Sequence, residues 1–476
     1  MRHLSRLSAA CAIALSLVSA APRAQSRPAA TSAAPAPLPS SGASRIVSRT
    51  LANGLEILVI EDHAVPVVTI DLAVRNGSFT EPPELNGLSH LYEHMFFTRA
   101  MGGSAAPDPI DPKDTLGISF NGSTKEEVVE YFFTTTTPHF EAAAQMLCDG
   151  ALHPAFDERD FAREREVVIG EMDRQDSNPY AVLGKAMDER LFYKYPSRKE
   201  PIGNRETVRG ATTDMMRLIR DRYYVPNNSA IIIAGDVKAD RAFDLMQQLF
   251  GGWAKRPVDP FVEFPPVEHP PLEKSEGAIQ VGPIQNVVAE IGWQGPSVGK
   301  DNDATYAADV FSFILTQPES HFQRALVDSG LTTSVSFGYY TQRNVGPISL
   351  LLQTTPDKAT AALAAVYNEI AHFADADYFT DEELASAKAL LEADDLYSRE
   401  ELSEYVHAVA FWWSSTGLEY FRTYLPHLRT TTRADVQRFV NRYVRNQPHV
   451  GVALLSSDAL TASHLTTADL IGRSTP

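Results

Sequence analysis

The chain of 476 residues carries 42 Lys and Arg against 60 Asp and Glu, a formal net charge of −18, and has no Lys/Arg block, which excludes a nucleic-acid surface. Of its two cysteines, Cys11 falls in the leader described next, so no disulfide can form within a mature chain that keeps only Cys148. The length exceeds what one hydrophobic core usually serves and predicts two or more domains.

The first residues, "MRHLSRLSAACAIALSLVSAAPRAQS", combine a basic start (Arg2, His3, Arg6), an apolar run from Leu7 to Ala21 and small residues near Ala20 to Ala24. That order predicts a secretory signal peptide over 1–24 and an exported protein, periplasmic or secreted. Neither this run nor any later one reaches the roughly 18 apolar residues of a membrane helix, so no stable membrane insertion is expected. Ser8 stands where a lipobox wants leucine, which argues against lipid attachment at Cys11. Residues 25–44, rich in Ala, Pro and Ser, predict a disordered leader.

The elements that follow alternate between strand and helix. "GLEILVIED" and "VVTIDLAVRNGS" predict strands, with Asn76-Gly77 as a turn signal, and a helical segment surrounds His90. "EEVVEYFFTTTT" predicts a further strand, 139–150 and 157–176 predict helices, and "SAIIIAGDV" from Ser229 to Val237 reads as a buried strand. A second Pro-rich stretch over 256–277 divides the remainder nearly in half and predicts a linker. Beyond it the sequence echoes itself. "FTDEELASAKALLEADD" from Phe379 lies on "FDERDFAREREVVIGEMD" from Phe156 without gaps, and "TTRADVQRFVNRYVRNQPHVGVALL" resembles "TTDMMRLIRDRYYVPNNSAIIIAG". A duplicated domain is the simplest account, with one copy over 45–255 and the other over 278–476.

The chemistry concentrates in "SHLYEH". On a helix His90 and His94, four residues apart, project from one face and can converge on one ion, and Glu93 lies on the same edge. A catalytic zinc takes three protein ligands and keeps an open position for water, whose proton a neighbouring free carboxylate can accept. Two histidines on an ordinary helix are also often merely structural, and the motif alone supplies no third ligand.

"GLSHLYEHMFF" resembles the "GLAHFLEHMLF" of the pitrilysin family of inverted zincins, which includes insulin-degrading enzyme and the mitochondrial processing peptidases. "PIGNRETV", "RYYVPNNSAIIIAGDV" and "LFGGW" match further landmarks, so the resemblance covers the first half well and the second in outline. It implies one Zn2+ per chain held by His90, His94 and, at the family spacing, Glu171 in "EREVVIGEMD". Glu93 becomes the catalytic base. Glu164, two helical turns before Glu171, becomes the carboxylate that supports the metal site. The implied fold is α+β: two homologous domains, each a mainly antiparallel sheet with helices packed on one face, together forming half of a clamshell chamber. An edge strand at "GISFNGSTKEE" is implied to receive the substrate peptide as an added strand, with Asn121 contacting it, although Asn121-Gly122 also reads as a turn.

One departure carries information. Active assemblies of the family present, in the opposite half, an arginine followed seven residues later by a tyrosine. In "ALVDSGLTTSVSF" Thr333 takes the tyrosine's place and Leu326 or Val327 the arginine's, while Arg324, Tyr339 and Tyr340 are wrongly spaced. Ala387 and Asp394 replace Glu164 and Glu171 in the second copy, which therefore lacks a metal centre. The resemblance is thus to the zinc-bearing member of a bacterial two-subunit peptidase. It implies a peptide substrate and a heterodimer with a homologous subunit that brings the Arg/Tyr pair, a homodimer being possible. A non-catalytic peptide-binding or structural subunit is the alternative, and retained metal ligands argue against it. Cys148 reads as a buried small residue, and His139, His153 and His407 as packing or surface residues.

Overall fold

A computed structural model describes residues 46–100 and 116–473. The expected signal peptide and leader lie outside the described residues. The described residues form one compact unit containing two sheets.

The first sheet has six strands in the order β1-β2-β6-β3-β5-β4, comprising β1 (Val47–Thr50), β2 (Glu56–Glu61), β3 (Val67–Val74), β4 (Ser119–Thr124), β5 (Val129–Thr136) and β6 (Ser229–Gly235). Only β2 and β6 run parallel; the other neighbours are antiparallel. The second sheet has the order β7-β11-β8-β10-β9, from β7 (Glu276–Val281), β8 (Val287–Gln294), β9 (Ser334–Tyr339), β10 (Pro347–Thr354) and β11 (Val450–Leu455). Again one pair is parallel, β7 with β11, and the rest antiparallel. Apart from β1, the two sheets therefore repeat one topology. The echoed sequences fall on equivalent elements: α3 (Glu158–Asp176) against α9 (Asp381–Tyr397), and α5 (Thr213–Tyr223) into β6 against α12 (Arg433–Tyr443) into β11.

The remaining long helices are α1 (Leu88–Ala100), α2 (Phe140–Leu152), α4 (Ala181–Leu191), α6 (Ala239–Phe250), α7 (Asn302–Thr316), α8 (Ala359–His372), α10 (Leu402–Ser415) and α11 (Leu418–Thr430). In the first half, Ile57 and Val59 of β2, Val68 to Val74 in alternation on β3, and Ile231 and Ile233 of β6 face a core built with α1, α2, α3, α5 and α6. β7 to β11 do the same with α7, α8, α9 and α12.

The opposite face of each sheet is covered by a helix from the other half. Tyr405, Val406, Val409, Ala410 and Trp413 of α10 form a helical stripe that packs on Leu58, Ile60, Ala73 and Ile232. Leu183, Ala186, Met187 and Leu191 of α4 pack on Ala278, Val288, Val452 and Leu454. This exchange explains why β2 and β6 read as unbroken apolar runs: both of their faces are dry. Trp413 closes one end of the contact, donating its indole N–H to Glu56 at 3.0 Å with the Arg75 guanidinium 4.0 Å over its ring. The helix on one face of each sheet that the sequence implied is present, and the exchanged helix is added to it.

Candidate metal centre

Helix α1 begins at a backbone position that only glycine tolerates. Gly87 has φ +92° and packs so closely on Gly203 that a Cβ at 87 would lie 2.8 Å from the Gly203 Cα. No side chain at 87 can cap the helix, and the cap comes from Glu81. Its buried carboxylate accepts the backbone N–H groups of Gly87 at 2.7 Å and Ser89 at 2.6 Å. The first turn of α1 is thereby fixed one residue before His90.

His90 and His94 present their rings on one face, 5.0 Å apart and nearly perpendicular. Helix α3, whose own start is capped by Asp157 accepting the Arg159 and Asp160 N–H groups, lies alongside and brings Glu164 and Glu171 to the same place. Glu171 Oε2 is 3.5 Å from both His90 Nε2 and His94 Nε2, and one donor atom from each of the three residues lies within 4.8 Å of the others. These separations fit a shared ion with bonds of about 2.0–2.1 Å better than they fit hydrogen bonds, which to a charged partner run about 2.7–2.9 Å. The buried Nδ1 of His90 has no hydrogen-bond partner among the described residues. Two imidazoles and a carboxylate form the donor set of a catalytic zinc. The residues fit the group.

Around this triad Glu164 Oε2 stands 3.4 Å from His94 Nδ1, placed to accept that nitrogen's N–H and so leave Nε2 as the free ligand atom, while its other oxygen accepts Arg163 Nε–H at 3.1 Å. The His94 hydrogen bond holds the Glu164 carboxyl below its usual range, against the effect of burial. Burial pushes His90 down to about 4, with the nearby His94 charge adding to it. It pulls His94 down as well, but Glu164, Glu171 and Glu93 outweigh it and raise that imidazole to about 10. A divalent cation bound here takes the place of that proton. Arg174 lies 3.4 Å from the second oxygen of Glu171.

Glu93 is buried, which pushes its carboxyl up to about 7 despite the His94 charge. Oε2 accepts the Thr124 hydroxyl at 2.8 Å, and the backbone of Gly122 approaches so closely that a Cβ there would lie 2.6 Å from Oε1. Both residues belong to β4, the last strand of the sheet, whose far edge is unpaired among the described residues. Asn121 lies in that strand, which rules out the turn reading of Asn121-Gly122. Alternation along the strand turns its side chain to the face opposite Gly122 and Thr124, so it is exposed and is not brought to the triad.

The site thus unites His90, Glu93, His94, Glu164 and Glu171. Glu81, Gly122 and the role of Thr124 were missed from the sequence. The glycine before α1 was the available signal, since a helix that cannot be capped locally needs an acid from elsewhere. In the second half Ala387 is buried and Asp394 exposed, without a histidine on the equivalent helix α7. Thr333 is exposed and Leu326 buried. Tyr339 donates to the Pro296 carbonyl at 2.9 Å and Tyr340 stacks on Phe411, so neither tyrosine is free to hold a substrate. Cys148 is buried, as expected, with its thiol pushed up to about 11 by burial.

Comparison with known proteins agrees with this geometry. Residues 56–203 match the insulinase (peptidase family M16) model and residues 211–391 the peptidase M16 inactive-domain model. The chain is 24% identical over 353 residues to the uncharacterized zinc protease YmxG of Bacillus subtilis, covering 74% of this chain and 84% of that protein. It is 24% identical over 415 residues to the zinc protease PqqE of Helicobacter pylori, covering 86% of this chain and 92% of that protein. Among solved structures, a protease from Helicobacter pylori superposes with a TM-score of 0.75 at 20% identity, over 86% of this chain and 99% of that one. A putative M16-like peptidase from Alicyclobacillus acidocaldarius gives 0.75 at 19% identity, over 87% and 98%. His90, His94 and Glu171 all lie inside the first matched segment, and the chain belongs to peptidase family M16, the insulinase or pitrilysin family of zinc proteases.

Proposed function

We propose that this chain is a zinc-dependent endopeptidase acting on short, flexible peptides, and that it is the zinc-bearing member of a pair. The observation that carries this is the meeting of His90, His94 and Glu171 beside a buried Glu93. Zinc held by the three ligands would supply Lewis acidity to the scissile carbonyl and to a water. Glu93, with a carboxyl raised toward neutrality, takes the proton of the attacking water and returns it to the leaving amine. Glu164 fixes the His94 tautomer. The open edge of β4 adds the substrate as a strand, with Asn121 as a contact on the far face.

In this reading residues 45–255 are the peptidase domain and 278–476 a homologous non-catalytic domain, joined by the Pro-rich linker. The chain forms half of a closed chamber, and a homologous subunit completes it and brings the Arg/Tyr pair that Leu326, Val327 and Thr333 do not provide. The leader directs the protein out of the cytoplasm, to the periplasm or the medium. A non-catalytic subunit is the alternative, supported by the inactive-domain match over 211–391 and opposed by the complete donor set in the first half.

The test is zinc content and cleavage of a quenched flexible peptide, with the purified chain alone and mixed with a homologous subunit, and Glu93→Gln as control. Stoichiometric zinc with Glu93-dependent cleavage that rises when the partner is added supports the reading. Zinc without cleavage in either condition selects the binding subunit, and cleavage equally fast without a partner removes the heterodimer.

A further inference from the structure

Behind the first sheet, on the face away from the triad, lies a second cluster of metal-ligating groups. Asp71 of β3 and Glu130 of β5 are both fully buried and point toward His407 of α10, the helix contributed by the second half. His407 Nδ1 is 3.3 Å from Asp71 Oδ2 and 3.5 Å from Glu130 Oε1, and the three donor atoms lie within 4.8 Å of one another. The Phe132 ring, 4.2 Å away, packs edge-on against the imidazole.

Two features set the cluster apart from an ordinary buried ion pair. The first is spacing. Histidine–carboxylate hydrogen bonds in this protein measure 2.7 Å at His63 with Asp236 and 2.6 Å at His372 with Asp375, and reach 3.4 Å where His94 meets Glu164 beside the metal triad. At His407 they are 3.3 and 3.5 Å, close to the roughly 3.3 Å edge of a tetrahedron of ligands about 2.0 Å from a metal. The second is the lack of donors. Among the described residues no donor makes a well-formed hydrogen bond to an oxygen of Asp71 or Glu130, although burying carboxylates without donors is costly. His321 also stands 3.4 Å from Glu369, but that carboxylate has the Tyr378 hydroxyl at 2.6 Å.

Charge leaves a cation to be accounted for. Lys125 Nζ, 3.5 Å from Glu130 Oε2, balances one carboxylate. The other needs a proton, on His407 or on a carboxyl, or a metal ion, and the ion gives partners to the lone pairs that no donor reaches. We propose that Asp71, Glu130 and His407 form a second divalent-cation site of the zinc class, distinct from the triad on α1 and α3, which ties the first sheet to the second half of the chain. It requires no peptidase activity and stands whether or not the triad is catalytic.

The experiment keeps the cluster intact and removes the other site. The full mature chain carrying His90→Ala and His94→Ala is dialysed to equilibrium against micromolar zinc, and bound metal and melting temperature are measured. One zinc per chain is expected, with a higher melting temperature than after chelation, and both are lost on adding Asp71→Asn or, should that fail to fold, His407→Gln. If the double variant binds no zinc and melts at the same temperature with and without it, the proposal is overturned and His407 is a protonated clasp. A bound zinc that survives both cluster substitutions overturns it equally.

Discussion

The hydroxyl of Thr124 donates to Glu93 Oε2 at 2.8 Å, and this bond ties the outermost strand of the first sheet to the helix that carries both histidines. Position and protonation of the proposed base therefore depend on the strand to which substrate would add. Gly122, on the same face, leaves Glu93 only the space a missing Cβ provides. Gly122→Ala should retain zinc and lower peptide cleavage by about 100-fold, the cost of displacing a reacting group by about 1 Å. Thr124→Val, which removes the donor at nearly constant shape, should lower kcat by roughly 10-fold with KM little changed, in line with about 1–3 kcal/mol for a buried charged group that loses a partner. Steady-state kinetics with metal analysis checks both. Unchanged kcat in either variant would place the base elsewhere.

Glu81 caps α1 from six residues upstream, and two N–H groups of the first turn depend on it. Glu81→Ala leaves them buried without acceptors and should destabilise the chain by about 2–4 kcal/mol, combining a lost cap with unsatisfied donors. Glu81→Gln keeps one acceptor and should cost about half as much. Urea unfolding measures the difference. Equal losses in the two variants would show that the charge of the carboxylate, not its shape or a single remaining acceptor, is what the helix start requires.

The pairing of His90 and His94 in "SHLYEH" was legible because one helix face fixes where those side chains point, whereas Glu171 and Glu164 were reached only through the spacing that the family resemblance implies. The strands were legible as apolar runs bounded by turns. Other features depend on contacts between residues far apart in sequence. The stripes on α4 and α10 show that each helix buries a face, but nothing in their periodicity says that each covers the sheet of the other half. His407 read as a packing residue for the same reason, since Asp71 and Glu130 lie 336 and 277 residues before it across that exchange. Asn121 was expected at the substrate because its strand was found, and strand alternation then turned its side chain from the triad.

Asp309 of α7 makes stability depend on pH. It is half-buried, accepts the Tyr424 hydroxyl at 2.6 Å, and desolvation raises its carboxyl to about 7. A carboxyl raised on folding means that the native state holds a proton which the unfolded chain has already released. Its contribution is thus fully present below about pH 4, falls by about 1.4 kcal/mol for each pH step of one as pH rises to about 7, and is flat above. Asp309→Asn should remove this slope, so that the variant gains on the wild type between pH 5 and pH 8 in parallel urea titrations. A constant difference between the two proteins across that range would mean that Asp309 is ionised in the fold.

Lys199 and Glu127 both hold one loop of the second half. The Lys199 ammonium, fully buried over the Phe192 ring, donates to the carbonyls of Asn344 at 3.0 Å and Val345 at 2.9 Å and to the Gln342 side chain. Glu127 accepts the N–H groups of Arg343 and Asn344, both at 2.9 Å. The loop so gripped contains Val345 at φ +57°, a conformation a β-branched residue adopts only when its surroundings impose it. Lys199→Met leaves the carbonyls buried without donors and should cost about 2–4 kcal/mol, and Glu127→Gln, which keeps one acceptor, about 1–2. Because each acts on the same loop, whichever is lost first releases much of what the other holds. The double variant should therefore fall short of the sum of the single losses by about 1 kcal/mol or more, read from urea unfolding of all four proteins. Strict additivity would show that the two residues hold the loop independently and that Val345 keeps its conformation without them.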